Sequence, residues 1–286
     1  MRHPGYLITS AKKYLLGQGF ACPSCGGRRS TVVDRKWIIT TLRRCEQCRL
    51  LFRAPTTTIA ENDRLYQSAY TEGFTTRLPD DVTLTNLLAH NFKGSEKDYT
   101  SYLNVLIALG IRPGQRLYDF GCSWGYGSYQ FRAAGYEVES SEISIPRASF
   151  ARDKLGVSLV APEHVAEGRY DIFFSAHVIE HVPSVSAMIA LALRSLKPGG
   201  LFVTFTPNGG NGFRESQYES WHHMWGFVHP QLLDDEYVAR TFAGHRYVIG
   251  ANPLPLDALK RFPLQTPLVL PQTGVELMFA VQKPMG

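Results

Sequence analysis

Between residues 115 and 206, short apolar runs alternate with capped amphipathic segments, and that alternation limits the chain to a few architectures. "QRLYDF" reads as a strand and "YGSYQFRAAG" as a helix ending at Gly135. "YEVESSEI" is a strand, followed by "IPRASFARDKLG", a helix with Pro146 in its first turn and Gly156 behind it. "VSLVA" and "YDIFFSAHVI" are strands, "SVSAMIALALRSLKPGG" is a helix closed by Pro-Gly-Gly, and "LFVTFT" is a strand. Upstream, "SEKDYTSYLNVLIALG" predicts a helix over 95–110 with Ser95 as N-cap and Asp98 three residues on. Downstream come a helix at "DDEYVARTFAG" and strands at "HRYVIGA" and "VELMFAVQK". The expectation is an α/β fold with a doubly wound, mostly parallel sheet of seven strands.

Open sheets of this kind bind ligands beyond the carboxyl ends of their strands. The residues to watch are therefore Asp119, Glu142, Ser175 to His177, and Thr206 to Asn208. Behind the first strand, "LYDFGCSWGYGS" sets Asp119 ahead of Gly121, Cys122, Ser123, Gly125 and Gly127. Glycine lets backbone turn sharply and approach a ligand without Cβ interference. An acid at the end of the next strand can hold a ribose through its hydroxyls. Glu142, 23 residues beyond Asp119, stands at about the expected distance, with Ile143 beside it. A tight turn with no ligand is the plainer alternative.

The head of the chain carries a different signal. "CPSCGG" and "RRCEQC" form two CxxC pairs, Cys22/Cys25 and Cys45/Cys48, with nineteen residues between them. That spacing predicts a four-cysteine zinc ribbon, and an all-sulfur shell leaves no open position, so the metal is expected to be structural. The fifth cysteine is Cys122, and an odd count suits a reducing compartment. Cytoplasmic location is expected, with no membrane insertion, because neither a secretory h-region nor an apolar stretch of spanning length is present. Residues 1–60 hold eleven Lys and Arg against two acids, whereas the remainder holds nineteen against twenty-three. Such a basic head suggests an anionic partner or simply a solvated surface. The expected organisation is a zinc-ribbon segment over 1–55, a connecting or cap segment over 56–94 with a short helix near 59–69, and a main domain over 95–286. Residues 71–94 show no clear periodicity, and a mobile segment over a site is expected there.

Taken together these motifs resemble the class I S-adenosylmethionine-dependent methyltransferases. "DFGCSWG" is similar to that family's Asp-x-Gly-x-Gly-x-Gly motif, with Ser123 in place of the middle glycine, and "GYEVESSEIS" to its second strand. "YDIFFSAHVIEHVPSVSAMIALALRSLKPGGLFVTFTPN" resembles its fourth strand, the following helix and the fifth strand. The head resembles the zinc-binding segment that precedes this domain in many bacterial methyltransferases of small-molecule and glycan pathways. The resemblance implies a Rossmann-like sheet and binding of S-adenosylmethionine by Asp119, Gly121, Cys122, Ser123, Gly125, Glu142, Ile143, Ser175 and His177. An acid near the adenine is expected after the third strand, where "VAPEHV" offers Glu163 or His164.

Two histidine clusters are candidates for the acceptor side, histidine being the usual base near neutral pH. In "AHVIEHV", His177, Glu180 and His181 fall at i, i+3 and i+4 and share a face if helical. The resemblance puts His177 against the cofactor and His181 towards the acceptor. A divalent metal at His177, Glu180 and His181 is a sharper alternative, and packed histidines at a helix start a plainer one. In "ESWHHMWGFVHPQLL", Trp221, His222, His223, Trp225 and His229 mix aromatic faces with proton-transfer groups. His223 and His229 are the preferred base or acceptor-binding residues, with Asn208 as a further contact. The expected activity is methyl transfer to a small-molecule, sugar or glycan-precursor acceptor, a hydroxyl foremost. The rivals are an RNA methyltransferase gripping RNA through the basic head and a non-catalytic cofactor-binding scaffold.

Overall fold

The computed structural model of the protein describes residues 4–64 and 77–285. The short helix expected near 59–69 is present at Ile59–Arg64. Its remainder, and the first part of the 71–94 stretch, lie outside the described residues, while Asp81–Ala89 is a helix capped by Asp80.

Eleven strands are described: β1 (Ser30–Lys36), β2 (Thr40–Cys45), β3 (Leu51–Ala54), β4 (Arg116–Phe120), β5 (Glu137–Ser141), β6 (Tyr170–Ala176), β7 (Leu196–Pro207), β8 (Gln231–Leu232), β9 (Arg246–Ala251), β10 (Leu268–Val269) and β11 (Glu276–Gln282). They form a seven-stranded sheet ordered β10-β9-β11-β7-β6-β4-β5 and a four-stranded sheet ordered β1-β2-β3-β8. In the large sheet only β11 runs against its neighbours, pairing antiparallel with both β7 and β9. The chain moves outward from β4 to β5, then returns to β6 on the other side of β4. The crevice above β4 and β6 is therefore the switch point at which such sheets bind ligands.

Side chains of β6 alternate between two cores, as period two requires. Phe173 packs on one face with Tyr118, Met188, Phe202 and Phe279. Ile172 and Phe174 pack on the other with Leu117, Phe131 and Phe205. All three are fully buried, each contributing about 1.5–3 kcal/mol by leaving water. The helix Val185–Ser195 covers the first face through Val185, Met188, Ile189 and Ala192, a 3–4 spacing, and Ser184 caps it by accepting from the Ala187 amide.

The sheet differs from expectation at both edges. "VSLVA" supplies a single bridge, Leu159 to Ser140, and no strand. The seventh place is filled at the opposite edge by the two-residue β10. The helix expected from Ser95 begins at Thr100. Ser95 and Asp98 bond locally instead: Ser95 Oγ donates to the Phe92 carbonyl, and Asp98 accepts from the amides of Gly94 and Thr100. Short polar side chains compete with the helix in this way.

The head is joined to the main sheet's layer by more than chain continuity. β8 completes the small sheet through the pairs Leu51–Leu232 and Phe52–Gln231. Buried Arg44 donates to Asp234 at 2.7 Å, and Arg49 pairs with Glu236 at 2.5 Å. Trp221 and Trp225 pack against Leu42 and Leu51. Asp34 of β1 accepts from the ring nitrogen of His222 at 2.6 Å, Trp225 Nε1 at 2.8 Å and the Tyr218 hydroxyl at 3.0 Å.

Candidate functional site

After β4 the chain turns at Gly121, whose φ of +80° lies in the left-handed region. A Cβ there would stand 2.4 Å from Val178 Cγ2, so the position takes neither the dihedral nor the bulk of another residue. Gly125 closes the turn at φ +90°, where a Cβ would meet Val157 Cγ2 at 2.8 Å and Ala151 Cβ at 2.9 Å. Between them Ser123 also has positive φ, +53°, and its amide donates to Glu142 Oε2 at 2.9 Å. The other oxygen of Glu142 accepts from the Ser144 amide at 2.7 Å. Burial holds the Glu142 carboxyl above its ordinary range, partly offset by the Ser144 amide and Arg147. Asp119 stands behind the turn: Ser128 Oγ donates to it at 2.6 Å and Ser140 Oγ donates to Ser128 at 3.0 Å. Its carboxyl is raised to about 7, chiefly by burial, with Glu142 adding to the rise.

The turn, Glu142 and the ends of β5 and β6 open onto a cavity of about 760 Å³. Of the predicted cofactor residues, Gly121, Ser123, Glu142, Ile143 and His177 line it. Asp119, Cys122, Gly125 and Ser175 do not; all four shape the turn or the strand end from behind it. Glu163 lines the cavity, whereas His164 does not. On the acceptor side His181 and His229 face it. His223 is exposed and its Nδ1 bonds the Glu219 carbonyl within its own helix, Tyr218–Met224, so it is not brought to the cavity. Trp221, His222 and Trp225 are turned to the head. Asn208 is a buried clamp, donating to the carbonyls of Gln272 and Gly274 and accepting from the Gly210 amide. Tyr99 and Tyr102, from the turn and helix ahead of β4, form a wall that the sequence motifs do not reveal.

One polar wall joins distant segments. His177 leaves β6 with φ +55° and points its Nε2 at Glu276 Oε1, 2.7 Å away, on β11. Tyr102 donates to the same oxygen at 2.7 Å, and Asn252 donates to the other. Burial works against charge on His177, but Glu180 and Glu276 outweigh it and raise the imidazole to about 10. Glu180 is fully buried; Thr206 donates to its Oε2 at 3.0 Å, while Oε1 faces His177 Nδ1 at 3.6 Å and His181 Nε2 at 3.7 Å. His181 Nδ1 bonds the Val228 carbonyl at 2.7 Å and His229 Nδ1 bonds the Met224 carbonyl at 2.7 Å. The two rings lie 4.8 Å apart. Burial lowers His181 to about 4 against the pull of Glu180, so it is neutral near pH 7.

In the head, the four sulfurs of Cys22, Cys25, Cys45 and Cys48 lie within 4.8 Å of one another, with Cys22–Cys48 and Cys25–Cys45 each 3.5 Å apart. A tetrahedron with about 2.3 Å metal–sulfur bonds has edges of about 3.8 Å, so the four thiols fit a single ion. None forms a disulfide.

This sheet order, with its glycine turn over the switch point, is that of a Rossmann-like methyltransferase. A profile described as a methyltransferase domain matches residues 93–245, more than half of the chain, and the chain belongs to that family. A ubiquinone biosynthesis O-methyltransferase of Burkholderia thailandensis is 31% identical over 116 residues, 37% of this chain and 50% of that protein. A cyclopropane-fatty-acyl-phospholipid synthase of Escherichia coli is 29% identical over 106 residues, 34% of this chain and 28% of that protein. The chain thus spans half the length, or less, of these curated relatives. A phosphoethanolamine N-methyltransferase 2 of Haemonchus contortus, solved with S-adenosyl-L-methionine, shares the fold at TM-score 0.50 and 17% identity, covering 82% of this chain and 62% of that one. No described helix is long and apolar enough to cross a membrane.

Proposed function

We propose that the protein transfers a methyl group from S-adenosylmethionine to a hydroxyl of a small-molecule acceptor, in the sugar and glycan-precursor class, in the cytoplasm. One observation carries this reading: a single cavity runs from Glu142 and the glycine turn to His181 and His229. The grip for a nucleoside and the groups able to take a proton thus share one cavity. S-adenosylmethionine supplies the methyl as an electrophilic sulfonium. Glu142 holds the ribose hydroxyls, its oxygens already oriented by the amides of Ser123 and Ser144. Transfer is an in-line displacement in which the O–C bond forms as the S–C bond breaks and the electron pair stays on sulfur. The acceptor's proton passes to a histidine. The bonds from Nδ1 to backbone carbonyls require Nδ1–H in both His181 and His229, which makes Nε2 the accepting atom in each. Holding acceptor and methyl aligned at about 3 Å supplies much of the acceleration.

The relatives' names include an O-methyltransferase, which agrees with oxygen as the target. A small acceptor is favoured over RNA because part of the head's basic charge is met within the protein. Arg44 and Arg49 pair with Asp234 and Glu236, Lys13 pairs with Glu61, and Lys36 lies over Trp225. Zn²⁺ at Cys22, Cys25, Cys45 and Cys48 holds the ribbon that packs against the main domain. The test is methyl-labelled S-adenosylmethionine offered with hydroxylated small molecules, sugar nucleotides and RNA in separate reactions. Label in a small hydroxyl compound is the expected result. Label in RNA alone, or tight cofactor binding with no transfer to any class, would contradict the proposal.

A further inference from the structure

The loop that carries His229 to the cavity is held from the head. It leaves the helix Tyr218–Met224, whose last carbonyls lack partners within the helix. From His223 to Gly226, each successive carbonyl is met by a side chain. That of Met224 bonds His229 Nδ1 at 2.7 Å. The others accept from two cations of the head. Lys36 Nζ donates to the carbonyls of Trp225 and, at 3.5 Å, His223, and Arg53 donates to that of Gly226 at 3.4 Å. The Gly226 amide donates to the His229 carbonyl at 2.9 Å and closes the turn. β3 fixes the chain just beyond: the Arg53 amide donates to the Pro230 carbonyl at 2.7 Å, next to the Phe52–Gln231 pair.

We propose that the four-cysteine head forms part of the acceptor site, with Lys36 and Arg53 as positioning residues that set the ring of His229 in the cavity wall.

The two cations are poorly explained by packing alone. Arg53 is buried, yet its partners are the Gly226 carbonyl and the Thr57 hydroxyl, both at 3.4 Å, and the ring of Tyr6 at 4.9 Å. Its Nε has no hydrogen-bond partner. A guanidinium held on such terms adds little stability, because taking it out of water offsets what the contacts return. Lys36 gives up water too: burial pulls its ammonium below the usual lysine range, and Asp34 offsets only part of that. Both stand at the carbonyl end of a helix, where positive charge is favoured. What they fix is the direction of the peptide groups on either side of the Met224 carbonyl. His229 commits Nδ1–H to that carbonyl, and such a bond decides which ring nitrogen is left to accept a proton. A second link reaches the facing loop. Buried Gln231 donates to the Val182 carbonyl at 2.5 Å, beside His181. The cysteine site leads straight into this support, since the Cys45 amide donates to the Leu50 carbonyl at 2.9 Å, one residue ahead of β3. The placement of His229 stands on these contacts, whereas its service to an acceptor rests on the methyl-transfer reading.

The test is nitrogen-15 resonance of the histidine rings in full-length, zinc-loaded protein, with His229 assigned from the signal missing in His229→Gln. Wild-type His229 should be the Nδ1–H tautomer. Lys36→Met and Arg53→Met keep an unbranched apolar stem and remove the donors. Each should lose the pure Nδ1–H signature of His229, giving a mixture of tautomers or the Nε2–H form. S-adenosylhomocysteine should still bind within about twofold of wild type, because Glu142 and the glycine turn lie at the other end of the cavity. Zinc content and melting temperature report whether each variant is folded, and Lys36 is only half-buried, which guards against both failing. Wild-type His229 protonated at Nε2 would overturn the proposal without any variant. So would folded variants whose His229 signal matches wild type, or variants that lose nucleoside binding in step with the tautomer, since the head would then act on the whole fold. Nucleoside binding by wild type separates the two readings. A responsive His229 without that binding would sink the methyl-transfer reading alone, and binding with an unresponsive His229 would sink the positioning role alone.

Discussion

Gly121→Ala tests the turn on which the whole cradle depends. The dihedral of +80° costs an L-residue about 1–2 kcal/mol. A Cβ 2.4 Å from Val178 Cγ2 and 3.0 Å from Cγ1 adds an overpacking cost of about 1–3 kcal/mol. The expected loss is therefore about 2–5 kcal/mol in urea unfolding, read from the midpoint at constant slope. The two contributions can be separated, because only the second involves Val178. Val178→Ala alone should cost about 1 kcal/mol, since the side chain is half-buried. In the double variant the clash disappears while the dihedral strain remains. The pair should then show a favourable coupling of about 1–3 kcal/mol, well outside the additivity expected of independent sites. A Gly121→Ala protein within about 0.5 kcal/mol of wild type would refute the steric argument. Strict additivity in the double variant would refute the assignment of the clash to Val178.

Glu142→Gln keeps the shape but offers one acceptor oxygen where two amides, from Ser123 and Ser144, each need one. Losing a charge-assisted bond costs about 1.5–3 kcal/mol, so S-adenosylhomocysteine should bind roughly 10–100-fold more weakly by calorimetry, and a change under threefold would contradict the role. Asp119 is raised from 3.8 to about 7, so the folded protein retains a proton that the unfolded chain releases across that window. Its stabilising share is present below about 4, falls as pH rises, and is lost above about 7, a swing on the order of 4 kcal/mol. Asp119→Asn should flatten the stability profile of the ligand-free protein over this range, and an unchanged slope would argue against it. Cys45→Ser should abolish stoichiometric zinc and unravel the ribbon, because a structural zinc contributes on the order of 10 kcal/mol; a variant with wild-type melting and zinc content would contradict the site.

β4, β6 and β7 were legible as apolar runs, and the helices between strands were closed by local signals, such as Gly135 and Gly156 in the left-handed conformation. β10 was not, since two residues carry no period, and "VSLVA" reads as a strand although it finds one bridging partner. The four cysteines were legible from spacing alone because two turns suffice to gather them. The cavity was legible only on the side built by strand ends. Tyr102 and Glu276 meet from positions 174 residues apart, and no local pattern announces such a contact. The histidine-rich stretch shows the same limit. His222 is claimed by Asp34 and His223 by its own helix, while His229, past the helix end at Met224, swings to the cavity and bonds that end's carbonyl.

On the methyl-transfer proposal, the crevice above β4 and β6 receives the adenosyl half of the methyl donor. Calorimetric titration of the wild-type protein with S-adenosylhomocysteine tests this most directly. One nucleoside should bind per chain with micromolar or tighter affinity. Absence of binding heat across several temperatures, with folded and zinc-loaded protein, would contradict it.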